Sequence, residues 1–267
     1  MSAWHFGDIA REPEYVWHAN CPFCLRELTL TFRESFDGTG EDVPFDRSFQ
    51  SCRQVQHCSL CGWWKASDFR QGARVRDGTE QTFSTWGACA SLKQLDLTDI
   101  STPLQDVRDY LTAAYDKRFG IDPTLFERTV ASVFAGQGYD VLVTGGGGDG
   151  GIDVILTRGA ETIGVQVKAY RGSIKVGQIR ELVGSLYLKG MLSGIFVTTS
   201  HFQSGAAGTV ENAAIQGQRI ELYDAGRFYD ALTEVQAHTV RTIDELDYYR
   251  CLDSMRELDA NKVAISF

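Results

Sequence analysis

Residues 152–168 read IDVILTRGAETIGVQVK, and this stretch decides the fold. Apolar and polar side chains alternate in IDVILT (152–157) and again in TIGVQVKAY (162–170), which is typical of half-buried β-strands. The intervening RGAE is a plausible hairpin turn. The stretch is therefore predicted to form a β-hairpin. In it Asp153 projects from the polar face of one strand, and Gln166 and Lys168 share one face of the other.

The surrounding pattern predicts an α/β domain over residues 123–230. A helix begins at Asp122-Pro123, and the segment YDVLVT (139–144) predicts a strand before the hairpin. After the hairpin, helices are predicted at 175–190 and 203–216. Strands are predicted at 194–200 and 220–224. This order of helices and strands indicates a mixed sheet flanked by helices.

The glycine-rich segment GGGGDGG (145–151) precedes the hairpin. It could suggest a phosphate-binding loop, but no Gly-Lys-Ser/Thr follows it and it leads into a strand, so a nucleotide-binding loop is disfavoured. We expect these glycines to allow close approach of the backbone to a ligand.

The chain outside this domain divides into three further segments. Residues 1–100, which contain six cysteines and two C-x-x-C pairs, are predicted to form a small β-rich zinc-binding domain. Residues 101–122 are predicted to be a helical connector, and residues 231–267 a helical C-terminal extension.

Cysteine spacing predicts a metal site near the N-terminus. Six of the seven cysteines lie in the first 89 residues, and four of them form the pairs Cys21-Pro-Phe-Cys24 and Cys58-Ser-Leu-Cys61. These pairs resemble the two knuckles of a zinc ribbon, in which four thiolates bind a structural Zn²⁺. The 33 residues between the pairs exceed the usual spacing and imply an insertion. Cys52, His57 or Cys89 are the alternative ligands.

Composition limits the possible partners. The net charge of −9 argues against a broad, sequence-indifferent nucleic-acid coat. Residues 123–230 are nearly neutral, with 9 basic and 10 acidic side chains, so a focused site remains compatible with the charge. No apolar run is long enough to span a bilayer, and the first residues do not resemble a secretory signal. We therefore expect a cytoplasmic protein with no membrane partner.

The polar residues of the hairpin suit phosphodiester hydrolysis. Asp153 offers a hard oxygen ligand for Mg²⁺, and Gln166 offers a weaker one through its amide oxygen. Lys168 could hold the attacking water or offset negative charge in the transition state. Glu127, in the helix that begins at Pro123, could bring a second carboxylate to the metal directly or through water.

Five short motifs occur in order across this domain: P-x-x-F-E-R (123–128), G-Y-D-V (138–141), D-G-G-I-D-V-I (149–155), V-Q-V-K (165–168) and V-T-T-S-x-F-x-x-G-A (197–206). Together they resemble the Mrr-like restriction endonuclease family of the PD-(D/E)xK nuclease superfamily.

The resemblance implies a restriction-endonuclease-like core that uses Mg²⁺ or Mn²⁺ on double-stranded DNA. It implies that Asp153 binds the metal, that Lys168 is the catalytic lysine and that Glu127 is the family's helix glutamate. Gln166 stands where most of the superfamily has Glu or Asp, which implies a lower metal affinity.

The expected function is that of a Mg²⁺-dependent DNA endonuclease in prokaryotic restriction or antiphage defence. Because one site cuts one strand, a homodimer or larger assembly is expected, with a defence-system protein as a further partner. Two alternatives remain open at this stage. One is a catalytically weakened DNA-binding or assembly module, and the other is a zinc-ribbon protein-interaction adaptor.

Three residues just after the second strand of the hairpin, Tyr170, Arg171 and Lys175, could contact the DNA backbone. A solvated loop explains them equally well. Thr198, Thr199 and Ser200 could receive a phosphate before the next helix, and helix capping is the alternative.

Overall fold

A computed structural model describes residues 3–5, 13–38, 48–75, 79–144, 151–239 and 245–258. The chain folds into two compact units, one comprising Leu95–His238 and the other comprising Ser2–Gln94 with Thr239–Phe267. Most of the glycine-rich segment, and Asp149 with it, lies outside the described residues.

The described N-terminal residues form mainly β-structure. A short 3-10 helix spans Pro13–Trp17. The strands are β1 (Trp4–His5), β2 (Thr29–Gly38), β3 (Ser48–His57), β4 (Trp64–Val75), β5 (Thr79–Cys89) and β6 (Ser91–Leu92). Strands β2 to β5 pair as an antiparallel meander, and β1 pairs with β6. The small β-rich region predicted from the cysteine-rich sequence is confirmed.

The middle of the chain alternates helices and strands. Its elements are α1 (Leu104–Ala113), a 3-10 helix (Tyr115–Gly120), α2 (Pro123–Gly136), β7 (Asp140–Val143), β8 (Val154–Arg158), β9 (Glu161–Lys168), α3 (Val176–Leu188), β10 (Ser193–Thr198), α4 (Ala206–Ile215), β11 (Arg219–Tyr223) and α5 (Ala225–His238).

These strands form one mixed sheet in the order β11-β10-β9-β8-β7. Strand β10 runs parallel to β9 and β11, whereas β7, β8 and β9 pair antiparallel. The β8–β9 connection is the two-residue turn Gly159-Ala160, in which Gly159 has a φ of +62°, a conformation that glycine adopts without strain. The predicted hairpin and mixed α/β fold are therefore confirmed.

Helices bury the apolar side chains of this sheet. A cluster of buried residues that includes Ile152, Ile179 and Phe196 joins α3 and α4 to the strands. Gly164 allows α3 to approach closely, since a Cβ at this position would lie 2.6 Å from Leu186 Cδ2. In α2 and α5, the Phe126 and Phe228 rings pack edge to face at 5.3 Å. This packing fixes the central strand β9 between its neighbours.

The described C-terminal residues form helix α6 (Glu245–Asp253) and strand β12 (Arg256–Leu258). Strand β12 pairs with β5 and becomes an edge of the N-terminal sheet. The predicted helical extension over 231–267 therefore contains a strand, which is too short to leave a clear pattern in the sequence. None of the helices in the described ranges is both long and apolar enough to span a bilayer.

Candidate functional site

Asp153 lies immediately before β8, where the regular strand ladder begins. Its backbone N–H donates to Val165 O at 2.8 Å, and its carboxylate Oδ2 accepts the Val167 N–H at 2.7 Å. The Thr144 N–H donates to the Asp153 carbonyl at 3.0 Å, and Thr144 Oγ1 donates to Ile152 O at 2.7 Å. The Asp153 carboxylate therefore accepts a backbone N–H of β9 that a backbone carbonyl would accept if the β8–β9 ladder continued. This hydrogen bond fixes the orientation of the carboxylate.

Gln166 lies on β9, one residue before Val167. Its side chain is buried, with 7% of its surface exposed, and its Oε1 finds no hydrogen-bond partner among the described residues. A buried amide oxygen without a partner costs about 1–3 kcal/mol. Such an atom suits a role as a ligand, because a cation would supply the missing interaction.

Lys168 is the last residue of β9 and, by strand alternation, shares a face with Gln166. Its side chain is exposed, whereas Gln166 is buried. Its backbone pairs with Thr198 of β10, and its carbonyl accepts the Thr199 N–H at 3.2 Å. The strand ladder thus fixes the base of the side chain while leaving the ammonium group accessible to a substrate.

Glu127 lies in α2, whose N-cap Asp122 accepts hydrogen bonds from Thr124 N and Leu125 N. The Glu127 side chain is half-buried. Burial raises the pKa of Glu127, and the negative charges of Asp153 and Asp122 raise it further. The charge of Asp153 therefore disfavours ionisation of Glu127, and a bound cation would offset that effect.

These four residues come from α2, from the start of β8 and from β9. Carboxylate and amide oxygens, which Glu127, Asp153 and Gln166 supply, are the ligand types that a hard divalent cation such as Mg²⁺ prefers. The partnerless Gln166 oxygen is the observation in favour of that fit. Sequence reasoning missed Thr144 and the Val167 N–H, which hold Asp153, because a backbone donor and a single threonine leave no recognisable pattern.

The hydroxyl residues that follow β10 have internal partners. Thr199 Oγ1 accepts the Tyr170 N–H at 2.8 Å and donates to Tyr170 O at 2.9 Å, and Ser200 Oγ donates to Arg171 O at 3.3 Å. Thr198, Thr199 and Ser200 are all buried. Thr199 and Ser200 connect the segments after β9 and β10, whereas Thr198, the last residue of β10, accepts the Ser200 N–H at 3.2 Å. Helix α4 begins at Ala206, so these hydroxyls do not cap it.

The four cysteines of the two C-x-x-C pairs lie together. Their sulfur atoms are all within 4.8 Å of one another, with Cys24 Sγ 3.4 Å from Cys58 Sγ and Cys21 Sγ 3.6 Å from Cys61 Sγ. This is the arrangement that a tetrahedral thiolate site requires. The alternative ligands Cys52, His57 and Cys89 are not members of this group of described residues.

The two cysteine turns share the same backbone geometry. Leu25 N donates to Cys21 O and Gly62 N donates to Cys58 O, both at 2.9 Å. The residue after each pair has a positive φ, 60° at Leu25 and 79° at Gly62. The second turn connects β3 to β4, and the Thr29–His57 pairing of β2 with β3 brings the chain back beside the first turn. The long spacing is therefore a hairpin insertion.

Hydrogen bonds between the thiols shift their proton affinities in opposite directions. The neighbouring Cys21, followed by Cys24 and Cys58, raises the pKa of Cys61, whereas Cys21 and Cys24 lower the pKa of Cys58. Four thiolates at this separation need a cation to neutralise them. The donor chemistry of the cluster therefore fits Zn²⁺.

Residues 120–232 match the restriction endonuclease family Mrr_cat. The matched segment contains Glu127, Asp153, Gln166 and Lys168, and the cysteine cluster lies outside it. The family resemblance predicted from the five motifs is confirmed. No curated protein matches the chain.

Proposed function

We propose that this chain is a divalent-metal-dependent endonuclease that hydrolyses phosphodiester bonds in double-stranded DNA. The restriction endonuclease match of residues 120–232 supports a nuclease. The observation that carries the metal dependence is the buried, partnerless Oε1 of Gln166, which shares a strand face with Lys168. A structural amide would find a protein partner, as most buried polar groups do.

In this proposal Asp153 and Gln166 hold Mg²⁺, and Glu127 contributes a second carboxylate directly or through water. The ion, when bound, supplies Lewis acidity and a lowered pKa for a water ligand. Because the Val167 N–H holds Oδ2 of Asp153, the carboxylate is oriented before any ligand arrives. The exposed Lys168 ammonium orients the attacking water or offsets charge on the phosphate in the transition state.

A second candidate function is favoured by the amide at position 166. A neutral amide attracts Mg²⁺ less than a carboxylate does, so the domain could have kept DNA binding with weakened chemistry. Such a protein would bind DNA as a docking or assembly module. It would differ from the nuclease in one measurable respect, since loss of Asp153 or Lys168 would leave its function unchanged.

We further propose that Cys21, Cys24, Cys58 and Cys61 bind one structural Zn²⁺. The clustered sulfurs support this assignment, and four protein ligands would leave no open position for catalysis. The proposed setting is prokaryotic restriction or antiphage defence in the cytoplasm. Cleavage of both strands would favour a homodimer or larger assembly, because each chain carries one such site.

Incubation with supercoiled plasmid tests the nuclease. The purified protein is mixed with Mg²⁺ or Mn²⁺ and with plasmid from methylating and non-methylating hosts, beside Asp153→Ala and Lys168→Ala. Metal-dependent nicking or linearisation that both substitutions abolish, with circular dichroism unchanged, supports the enzyme. Wild-type protein that binds these plasmids but cuts none of them, with binding unaffected by the substitutions, supports the docking module.

A further inference from the structure

A cavity of about 300 Å³ lies beside the candidate active site. It shares both of that site's supporting elements. Ala169, which lines the cavity, directly follows Lys168 at the end of β9, and Ile121, on another wall, directly precedes the Asp122 N-cap of the helix that carries Glu127. The volume falls at the lower end of the range of small-ligand pockets, roughly 300–1,000 Å³.

Hydrogen bonds at the end of β9 hold the walls of the cavity in place. Thr199 bonds both backbone groups of Tyr170 through its hydroxyl, and its N–H donates to the carbonyl of Lys168. The Arg118 guanidinium donates to Thr199 O at 2.9 Å and to Tyr115 O at 3.0 Å. The cavity is thus preformed, and its shape is tied to the position of Lys168.

Two guanidinium groups and two aromatic rings give the cavity its chemistry. Arg118 lies 4.1 Å and Arg171 lies 5.7 Å from the centroid of the Phe119 ring. None of the described residues lining the cavity is acidic, although the chain carries a net charge of −9. Tyr170 is 51% exposed. Positive charge beside an accessible ring suits a ligand that is both anionic and planar.

We propose that this cavity binds one nucleotide unit, with the base stacked on Tyr170 and the phosphate paired with Arg118 and Arg171. A base that stacks on Tyr170 cannot at the same time stack between its neighbours in a duplex. A nucleotide supplied by DNA would therefore be unpaired or extruded beside the cleavage site. That source rests on the proposed nuclease function, whereas a free mononucleotide would offer the same chemistry independently of it.

Photo-crosslinking identifies the ligand and its source. Random-sequence duplexes with 5-iododeoxyuridine in place of thymidine are bound in Ca²⁺ and irradiated, and the crosslinked peptides are mapped by mass spectrometry. A second arm uses free 5-iododeoxyuridine monophosphate. Labelling of Tyr170 or Phe119 is expected. Labelling by the duplex assigns the cavity to the DNA strand, and labelling by the mononucleotide alone assigns it to a free nucleotide.

Affinity measurements separate stacking from charge. Tyr170→Ala is expected to weaken binding of the labelling ligand roughly tenfold, and Tyr170→Phe to retain it, because stacking on an aromatic ring contributes on that scale. Arg171→Ala should lower the salt dependence of DNA binding by about one phosphate contact, and Arg171→Lys should keep it. Tyr187→Ala and Arg219→Ala, at exposed positions outside the cavity, are matched controls expected to bind as the wild type does.

The proposal is overturned if neither ligand labels Tyr170 or Phe119, or if Tyr170→Ala and Arg171→Ala bind as tightly as the controls. Plasmid cleavage distinguishes this failure from failure of the nuclease. If the wild-type protein cuts plasmid but no nucleotide labels the cavity, the proposed nuclease is supported and the proposed nucleotide site is contradicted. If the mononucleotide labels the cavity but the protein cuts no DNA, the proposed nucleotide site is supported and the proposed nuclease is contradicted.

Discussion

The cysteine cluster and the candidate active site differ in ligand chemistry and in access to solvent. The cluster offers four equivalent sulfurs, and three of its cysteines are buried. The candidate active site offers two half-buried carboxylates, one buried amide oxygen and one exposed lysine. Four thiolate ligands fill all the coordination positions of a structural ion. Oxygen ligands beside an exposed lysine leave coordination positions and space for a substrate. The comparison predicts that metal at the first site stabilises folding and that metal at the second supports turnover.

Loss of one cysteine ligand should have the largest effect. Cys58→Ser is expected to remove bound zinc and to destabilise the N-terminal sheet by several kcal/mol, because the binding energy of a structural zinc contributes directly to folding. Elemental analysis and thermal unfolding measure the two effects. Cys52→Ser, at a half-buried cysteine outside the cluster, should keep the metal. Equal zinc content in both variants would contradict the assignment.

Removal of the exposed cation should affect catalysis without affecting folding. Lys168→Met is expected to reduce the plasmid cleavage rate about 10²–10³-fold, the cost of losing one transition-state stabilising group. Its melting temperature should stay close to that of the wild type, since the side chain is exposed. Lys189→Met, at an exposed lysine just after α3, is the matched control. Equal losses of rate in the two variants would make Lys168 an ordinary surface residue.

A carboxylate at position 166 should lower the stability of the metal-free protein and increase the effect of Mg²⁺ on both stability and cleavage. Without divalent metal, Gln166→Glu is expected to cost about 1–3 kcal/mol of stability, because it buries a charge beside Asp153. With Mg²⁺ the variant should gain more stability than the wild type and cut at lower Mg²⁺ concentrations. Differential scanning calorimetry with and without Mg²⁺ measures this change. A variant that ignores Mg²⁺ would place the ion elsewhere.

The pH dependence of cleavage should reflect the protonation of Glu127. Burial and the charge of Asp153 raise the pKa of this carboxyl, so protonation sets in at a higher pH than for an ordinary glutamate. As pH falls, Mg²⁺ binding and cleavage should therefore fail earlier, and higher Mg²⁺ should move the acid limb to lower pH because the ion competes with the proton. Glu127→Gln should remove this Mg²⁺-sensitive limb. An acid limb that is indifferent to both changes would belong to another group.

The smallest expected effect tests the equivalence of the two cysteine turns. Leu25 and Gly62 occupy corresponding positions with positive φ, and Leu25 is 77% exposed. Leu25→Gly should stabilise the N-terminal unit by about 0.5–1 kcal/mol, because a left-handed conformation strains leucine and little packing is lost. Gly62→Leu should destabilise it. Chemical unfolding curves measure both shifts, and shifts of the same sign would show that the turns are not equivalent.

Much of the α/β unit could be predicted from the sequence alone. The alternation in residues 152–168 predicted the hairpin, and Asp122-Pro123 predicted the start of α2, because both signals are local. The partners of Asp153 could not be predicted. Its carboxylate is held by the Val167 N–H, and a backbone donor has no sequence signature. The cavity formed by Arg118, Phe119 and Tyr170 was equally hidden, since its walls lie about 50 residues apart in sequence.

By itself, the sequence determined the residue types of both candidate metal sites, through cysteine spacing at one and strand alternation at the other. Only the tertiary structure decided which groups meet. It placed the two cysteine turns together through a hairpin insertion, left the Gln166 oxygen buried without a partner, and added a strand from the C-terminal segment to the N-terminal sheet. The physical reason is that periodicity and spacing report neighbours along the chain, whereas contacts between distant segments depend on packing.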